Sequence, residues 1–339
     1  MEDWTEIGRS LSILHKSPLF LLLNLADIKS SRRGVMSVLK TSSAAMRLLS
    51  AILVFAAFTG VLSCTQQTSS SPNLKAFTVR VVTWSVNSNY LPKDFSDLLG
   101  IANRSKTPGA DMIVVGLQNL GILANEKDND WVRALKDHVH DGCYWTIDAS
   151  IRKGNGFVIF GRTDKPQAVH KEMLSKDGAI ITNFNYFGHQ FTFVGLQLDK
   201  KVDEKKRVEE YEDVKKNIKE NYDRKNDFVF WLGNLNFKIE LNQTKAKEYI
   251  EKKDWTTLLT YDQLKKAQKE KKAFEELTEQ NINFGPTFKF KPATDNYDWE
   301  ETPSWADRIL FRSKKNNAIT PVKYESIEKY KESGHKPVV

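Results

Sequence analysis

The sequence predicts an α/β domain of two packed sheets with helices on their outer faces, and three observations lead to it. β-branched and aromatic runs recur from residue 77 onward, and a long Lys/Glu-rich segment carries its apolar residues at helical spacing. Strands alternate with helices early in the chain and cluster later.

Taken in order, Phe77-Thr-Val-Arg-Val-Val-Thr-Trp84 predicts the first strand. Asp111-Met-Ile-Val-Val-Gly-Leu-Gln118 predicts a second, apolar enough to be covered on both faces. Further strands are expected over residues 156–160, 179–183, 190–198 and 227–232. Residues 202–225 predict a helix, with Val208, Tyr211, Val214, Ile218 and Tyr222 forming one stripe and the Lys/Glu residues left in water. That pattern serves packing, not chemistry. Residues 255–272 read as a second helical region, and strands resume at 287–290 and 308–311. No internal repeat interrupts this order.

The composition sets the bounds. A chain of 339 residues, 40% hydrophobic with eight tryptophans, can build a large core, and a charged fraction of 28% excludes global disorder. The formal charge of +8 favours anionic partners, although much of the basic excess is interleaved with acids. Cys64 and Cys143 are the two cysteines, too few for a disulfide framework, and with Cys64 beside a cleavage site Cys143 is expected to be a free thiol.

The N-terminal region has its own logic. Met46-Arg47 opens an apolar run that continues through Leu62 and ends in Ser63-Cys64, the layout of a secretory signal peptide over residues 46–64. The run is short for a membrane span. Residues 1–45 then read as an upstream extension with Met46 as the start, the alternative being a signal anchor with Arg32-Arg33 on the cytoplasmic side. Residues 65–73 read as a flexible leader, and the folded domain is expected over 74–339. Two sequons, at Asn103 and Asn242, fit a secreted chain.

Five blocks then occur in sequence: Thr83-Trp-Ser-Val-Asn-Ser88, Gly116-Leu-Gln-Asn119, Phe230-Trp-Leu-Gly-Asn-Leu-Asn-Phe237, Pro286-Thr-Phe-Lys-Phe290 with Asp295-Asn-Tyr-Asp298, and Pro303-Ser-Trp-Ala-Asp-Arg-Ile-Leu310. His335-Lys-Pro-Val338 closes the series. Any one is weak, but five in order resemble the inositol-polyphosphate 5-phosphatases of the deoxyribonuclease I-like superfamily. The resemblance implies a four-layer α/β/β/α sandwich with its active site where loops converge at one edge of both sheets. It also implies a magnesium ion held by carboxylate and amide oxygens, a carboxylate-activated water, and histidines on the phosphoryl oxygens. Magnesium is hard and is anchored by carboxylates, and phosphoryl transfer rests on positioning and charge neutralisation.

Carried over residue by residue, the family's pattern is largely substituted. Its first-strand asparagine is Ser85, with Asn87 kept, and its metal-binding glutamate is Asn119. Its Gly-Asp-Leu-Asn block reads Gly233-Asn-Leu-Asn236, so Asn234 replaces an acid while Asn236 is retained. Gln197 stands for a histidine, and Ser333-Gly-His335 keeps the histidine but is expected to leave it without an orienting acid. Of four expected carboxylates only Asp307 remains, so the metal position at Asn119 is not expected to function. An amide cannot serve as a general base at neutral pH, a loss of roughly 10²–10⁴ in rate for one such group. Substrate-side residues survive better: the resemblance assigns phosphate contact to Lys289, Lys238 and Arg308. Arg308 alternatively pairs with a nearby acid to hold a strand, and Trp305 belongs to the core.

Tyr261-Asp-Gln-Leu-Lys-Lys-Ala267, Thr287-Phe-Lys-Phe-Lys-Pro292 and Thr302-Pro-Ser-Trp305 look like the branch formed by the bed-bug salivary nitrophorin and related salivary proteins of blood feeders. That resemblance implies haem on a cysteine thiolate, carrying nitric oxide. Trp131 falls where that cysteine belongs, Cys143 lies further on, and His138, His140 and His170 are the imidazole candidates.

Three readings share the fold. The first is a secreted protein with weak or no catalysis that binds inositol phosphate, phosphoinositide or another small anion. The others are a weakly active magnesium-dependent 5-phosphatase and a haem-based nitric oxide carrier. No nucleic acid partner and no stable membrane insertion of the mature chain are expected.

Overall fold

The computed structural model describes residues 77–86, 90–121, 129–140, 142–164, 169–176, 179–222, 227–315 and 317–339, all within one compact unit spanning Leu62–Val339. The expected extension, signal peptide, leader and domain start, and Asn87, lie outside the described residues.

Nine strands are present among the described residues, in two mixed sheets. The first contains β1 (Val79–Ser85), β2 (Met112–Gln118), β3 (Tyr144–Arg152) and β4 (Asn155–Arg162), in the order β1-β2-β4-β3. The second contains β5 (Val169–Lys176), β6 (Ala179–Tyr186), β7 (His189–Gln197), β8 (Phe228–Asn234) and β9 (Asp307–Ser313), in sequence order. β1 and β2 run parallel, as do β7 and β8, and the other neighbours are antiparallel. Helices α1 (Ser96–Leu99), α2 (Asp130–Val139), α3 (Glu204–Tyr222), α4 (Gln243–Glu251), α5 (Trp255–Leu259) and α6 (Gln263–Lys269) complete the elements.

The alternation of side chains along a strand produces the layers. On β2, Met112 and Val114 enter the core between the sheets, together with Phe157, Phe193, Phe230 and Ile309. Ile113, Val115 and Leu117 point the other way, into a core closed by α1 and α2 through Leu98, Trp131 and Leu135. On the far side Val194, Leu196 and Trp231 meet Tyr211, Val214 and Ile218 of α3 and Leu264 of α6. Three successive cores require four layers, the α/β/β/α sandwich that the sequence predicts.

Corrections to the expected elements have physical causes. The helix expected over 255–272 breaks at Asp262, whose carboxylate caps α6 by accepting from Lys265 N at 2.9 Å. The strand expected at 287–290 is reduced to isolated bridges, Phe288 to Ser304 and His335, and Phe290 to Tyr297. β3, α1, α2 and α4 were not anticipated, nor was β5. The C-terminal residues are pinned to β1: Thr83 and Val338 exchange both backbone hydrogen bonds at 2.9 Å.

Candidate functional site

The strand ends place the site. Ser85 ends β1 beside Gln118 at the end of β2, while Gln197 ends β7 beside Asn234 at the end of β8. Asp307 opens β9 opposite Asn234, because β9 runs antiparallel. Near the end of β8 the ladder demands Gly233, whose φ of 154° and absent side chain let Leu196 O of β7 approach; a Cβ would sit 1.8 Å from that oxygen. Asn119 and Asn236 follow their strands with φ of 62° and 53°, a left-handed conformation that asparagine tolerates well.

Three substituted residues are brought together around Ser85. Asn119 Nδ2 donates to Ser85 Oγ at 2.5 Å, and Asn234 Nδ2 donates to the same oxygen at 3.3 Å. Gln197 Nε2 donates to Asn119 Oδ1 at 2.9 Å. Ser85 O in turn accepts from Ser333 Oγ at 2.7 Å, which ties the hub to the C-terminal segment. Ser85 and Asn234 are buried, and Asn234 Oδ1 finds no partner among the described residues.

The retained pair forms a second group. His335 Nδ1 lies 2.8 Å from Asp307 Oδ2, which also accepts from Thr287 Oγ1 at 2.8 Å. The expectation that His335 lacks an orienting acid is therefore corrected: Asp307 orients it across the chain. Phe288 stacks on the imidazole with centroids 4.3 Å apart. Thr287 and Phe288 were not singled out in the sequence, because their role depends on a contact distant along the chain.

Asn236 spends its amide on Leu198 O at 2.6 Å and lines a cleft of about 280 Å³ with Lys238, Gln243, Phe288, Glu300 and Glu301. Lys238 Nζ is 3.5 Å from Glu301 Oε2. Lys289 Nζ lies 2.8 Å from Asp298 and 2.5 Å from Glu300, and these two carboxylates hold its ammonium well above the ordinary lysine range. Arg308 leaves the site altogether. It is fully buried, with Nη1 3.0 Å from Asp262 and Nε 2.6 Å from Glu279, so the anion contact assigned to it is corrected to the structural pairing.

The magnesium implied by the resemblance needs negative charge, whereas the donors around Ser85 are neutral amides and a hydroxyl already bonded to one another. Among the described residues no group of three His, Cys, Asp or Glu could hold a metal ion. These residues do not fit magnesium. Nor do those at the haem-ligand position fit haem: Trp131 is buried edge-on against Trp84 at 5.2 Å and Phe95 at 6.0 Å. Cys143 is disulfide-bonded rather than the free thiol expected. His138 is buried with Nε2 3.1 Å from Ile101 O, His140 is exposed, and the His170 side chain lies outside the described residues.

Comparison with known proteins agrees with this architecture. The family model described as Endonuclease/Exonuclease/phosphatase family 2 matches residues 82–339. The nitrophorin Cim l NP of Cimex lectularius is 31% identical over 276 residues, covering 77% of this chain and 88% of the nitrophorin. The phosphatidylinositol 4,5-bisphosphate 5-phosphatase A of Mus musculus is 26% identical over 329 residues and 84% of this chain, which spans 32% of that relative's length. Among solved structures, the Cimex nitrophorin ferrous NO complex has a TM-score of 0.64 at 28% identity, over 78% of this chain and 97% of the other. The inositol polyphosphate 5-phosphatase domain of SPsynaptojanin, solved with inositol (1,4)-bisphosphate and calcium ion, has a TM-score of 0.66 at 25% identity, over 78% and 83%.

Proposed function

The chain belongs to the endonuclease/exonuclease/phosphatase family 2, and on that premise we propose that it is a secreted member that has lost hydrolysis and holds a small anion in the ancestral cleft. The observation that carries this reading is the Ser85–Asn119–Asn234–Gln197 network. Where the family pattern calls for acids and a cation, uncharged side chains satisfy one another. Asn119 and Asn234 supply neither metal-holding charge nor a base for water. Losses within one catalytic unit do not multiply, but together they leave little for the remaining groups to accelerate.

Retention of the cleft supports the ligand-holding half. Asp307 fixes His335 through Nδ1, and Nε2 makes no protein hydrogen bond among the described residues. Lys238 lines the cleft, and Lys289 adjoins it through Glu300. The anion would be an inositol phosphate, a phosphoinositide headgroup or a smaller phosphate.

The test is phosphate release from a soluble inositol polyphosphate and a short-chain phosphatidylinositol bisphosphate, with magnesium and with EDTA. No metal-dependent release is expected from the unmodified protein. An Asn119→Glu/Asn234→Asp/Gly334→Asp variant, in which position 334 has no contact closer than 3.4 Å to an added Cβ, should gain thermal stabilisation by magnesium. EDTA-sensitive turnover by the unmodified chain would overturn the reading.

Likeness to the nitrophorin raises haem as a second reading, which Trp131 and the bonded Cys143 oppose. Added haemin is expected to give no saturable Soret shift. A stoichiometric shift would establish haem binding and identify a ligand other than these two.

A further inference from the structure

In the lining of the cleft carboxylates outnumber cations, Glu300 and Glu301 against Lys238. Lys238 faces Glu301 at 3.5 Å, and Lys289 is bracketed by Asp298 at 2.8 Å and Glu300 at 2.5 Å. The third basic residue, Arg308, is buried against Asp262 and Glu279. One lysine thus stands against two acids in the lining of a cleft of about 280 Å³, just below the usual range for small-molecule sites, and Lys289 beside it is taken up by Asp298 and Glu300.

We infer that this cleft accepts a ligand with one anionic group and rejects inositol polyphosphates and multiply phosphorylated lipid headgroups, with Glu300 and Glu301 as the determinants. The inference rests on the reading that the cleft holds an anion. A single anionic group needs to displace one carboxylate, and Lys238 offers the longer of the contacts. Every further phosphate on the ligand meets no second lysine in the lining and adds repulsion from the acids that remain. Discrimination of this kind comes from a repulsive element placed against the wrong ligand as much as from attraction to the right one. Glu301, 35% exposed, is the stronger determinant; Glu300, 74% exposed, is better screened by water.

Isothermal titration calorimetry at low ionic strength, with sodium phosphate and with inositol hexakisphosphate, tests the inference. The unmodified protein should bind phosphate and should bind the hexakisphosphate no more tightly. In Glu300→Gln/Glu301→Gln, the hexakisphosphate should tighten by about tenfold or more, the effect of removing a close like charge, while phosphate changes by less than about threefold. Matching circular dichroism melts would show that the variant folds. Hexakisphosphate binding tenfold or more tighter than phosphate by the unmodified protein, or no tightening in the variant, would overturn the charge limit but leave anion holding intact. Binding of neither anion to either folded protein would overturn anion holding, and the charge limit with it.

Discussion

Arg308 shows how a single side chain can keep its family position and change its meaning. Its guanidinium reaches both Asp262 and Glu279 with all three groups fully buried, and Lys265 adds a contact to Glu279 at 2.7 Å. Burial alone would raise the Glu279 carboxyl, but Arg308 and Lys265 more than offset it and hold it at about 2. Asp262 goes the other way, raised by burial that Arg308 only partly compensates. Arg308→Met removes the shared counter-ion and should cost about 3–5 kcal/mol in denaturant unfolding, since two buried carboxylates lose their partner. The pH dependence follows from the sign of the Glu279 shift. Its folded value lies below the ordinary 4.5, so its contribution is full above pH 4.5 and is lost as pH falls toward about 2. Asp262, being raised, contributes in the opposite sense and favours the fold less once it ionises. Glu279→Gln should therefore flatten the acid limb of a stability–pH curve, and an unchanged limb would refute this account. Sequence gave warning of Arg308 only as a choice between two roles, because Glu279 and Asp262 approach it through the fold and not through the chain.

Among the elements, legibility followed the purity of the pattern. β2 is buried at every position and was plain as an apolar run. β3 was hidden because Asp148 and Ser150 occupy buried positions, with Asp148 accepting from Ser150 Oγ at 2.8 Å and Thr182 Oγ1 at 2.9 Å. Polar residues satisfied across the sheets look like solvent-facing ones until the partners are known. α2 did carry a readable signal: Asn129 caps it, and Trp131, Val132, Leu135, His138 and Val139 are its buried face. In the second sheet, Gly195 is set by its neighbour, since an added Cβ would lie 2.6 Å from the Phe157 ring of the facing sheet. Gly195→Ala should destabilise the protein by about 1–3 kcal/mol through overpacking, measurable by chemical denaturation. A neutral result would mean that the sheets can part locally without loss.

For the whole molecule, the layered architecture was predictable because alternating strand faces and one long amphipathic helix admit few arrangements. The site was legible only through resemblance: blocks from five segments carry it, and nothing in their spacing alone brings Ser85 to Asn234, 149 positions apart. Secretion belongs to this scale too. Translated from Met46 in an insect secretory line, the chain should reach the medium with its apolar run removed and an N-terminus no later than Cys64, which N-terminal sequencing would read. Cys64 is the other cysteine of the chain and so the one Cys143 needs; cellular retention with residues 46–63 intact would count against the signal peptide. The network around Ser85 also bears on the history of the chain. Ser85 Oγ receives the amides of both Asn119 and Asn234, and Asn234 is buried, so restoring the acid there alone introduces a charge without a cation. An acid at Asn234 alone should therefore weaken the protein before any catalytic benefit can arise, whereas the metal-holding acids return to use only as a set. On the proposed loss of hydrolysis, burial at Asn234 would act as a ratchet, and lineages that closed this network would diversify around ligand holding without drifting back.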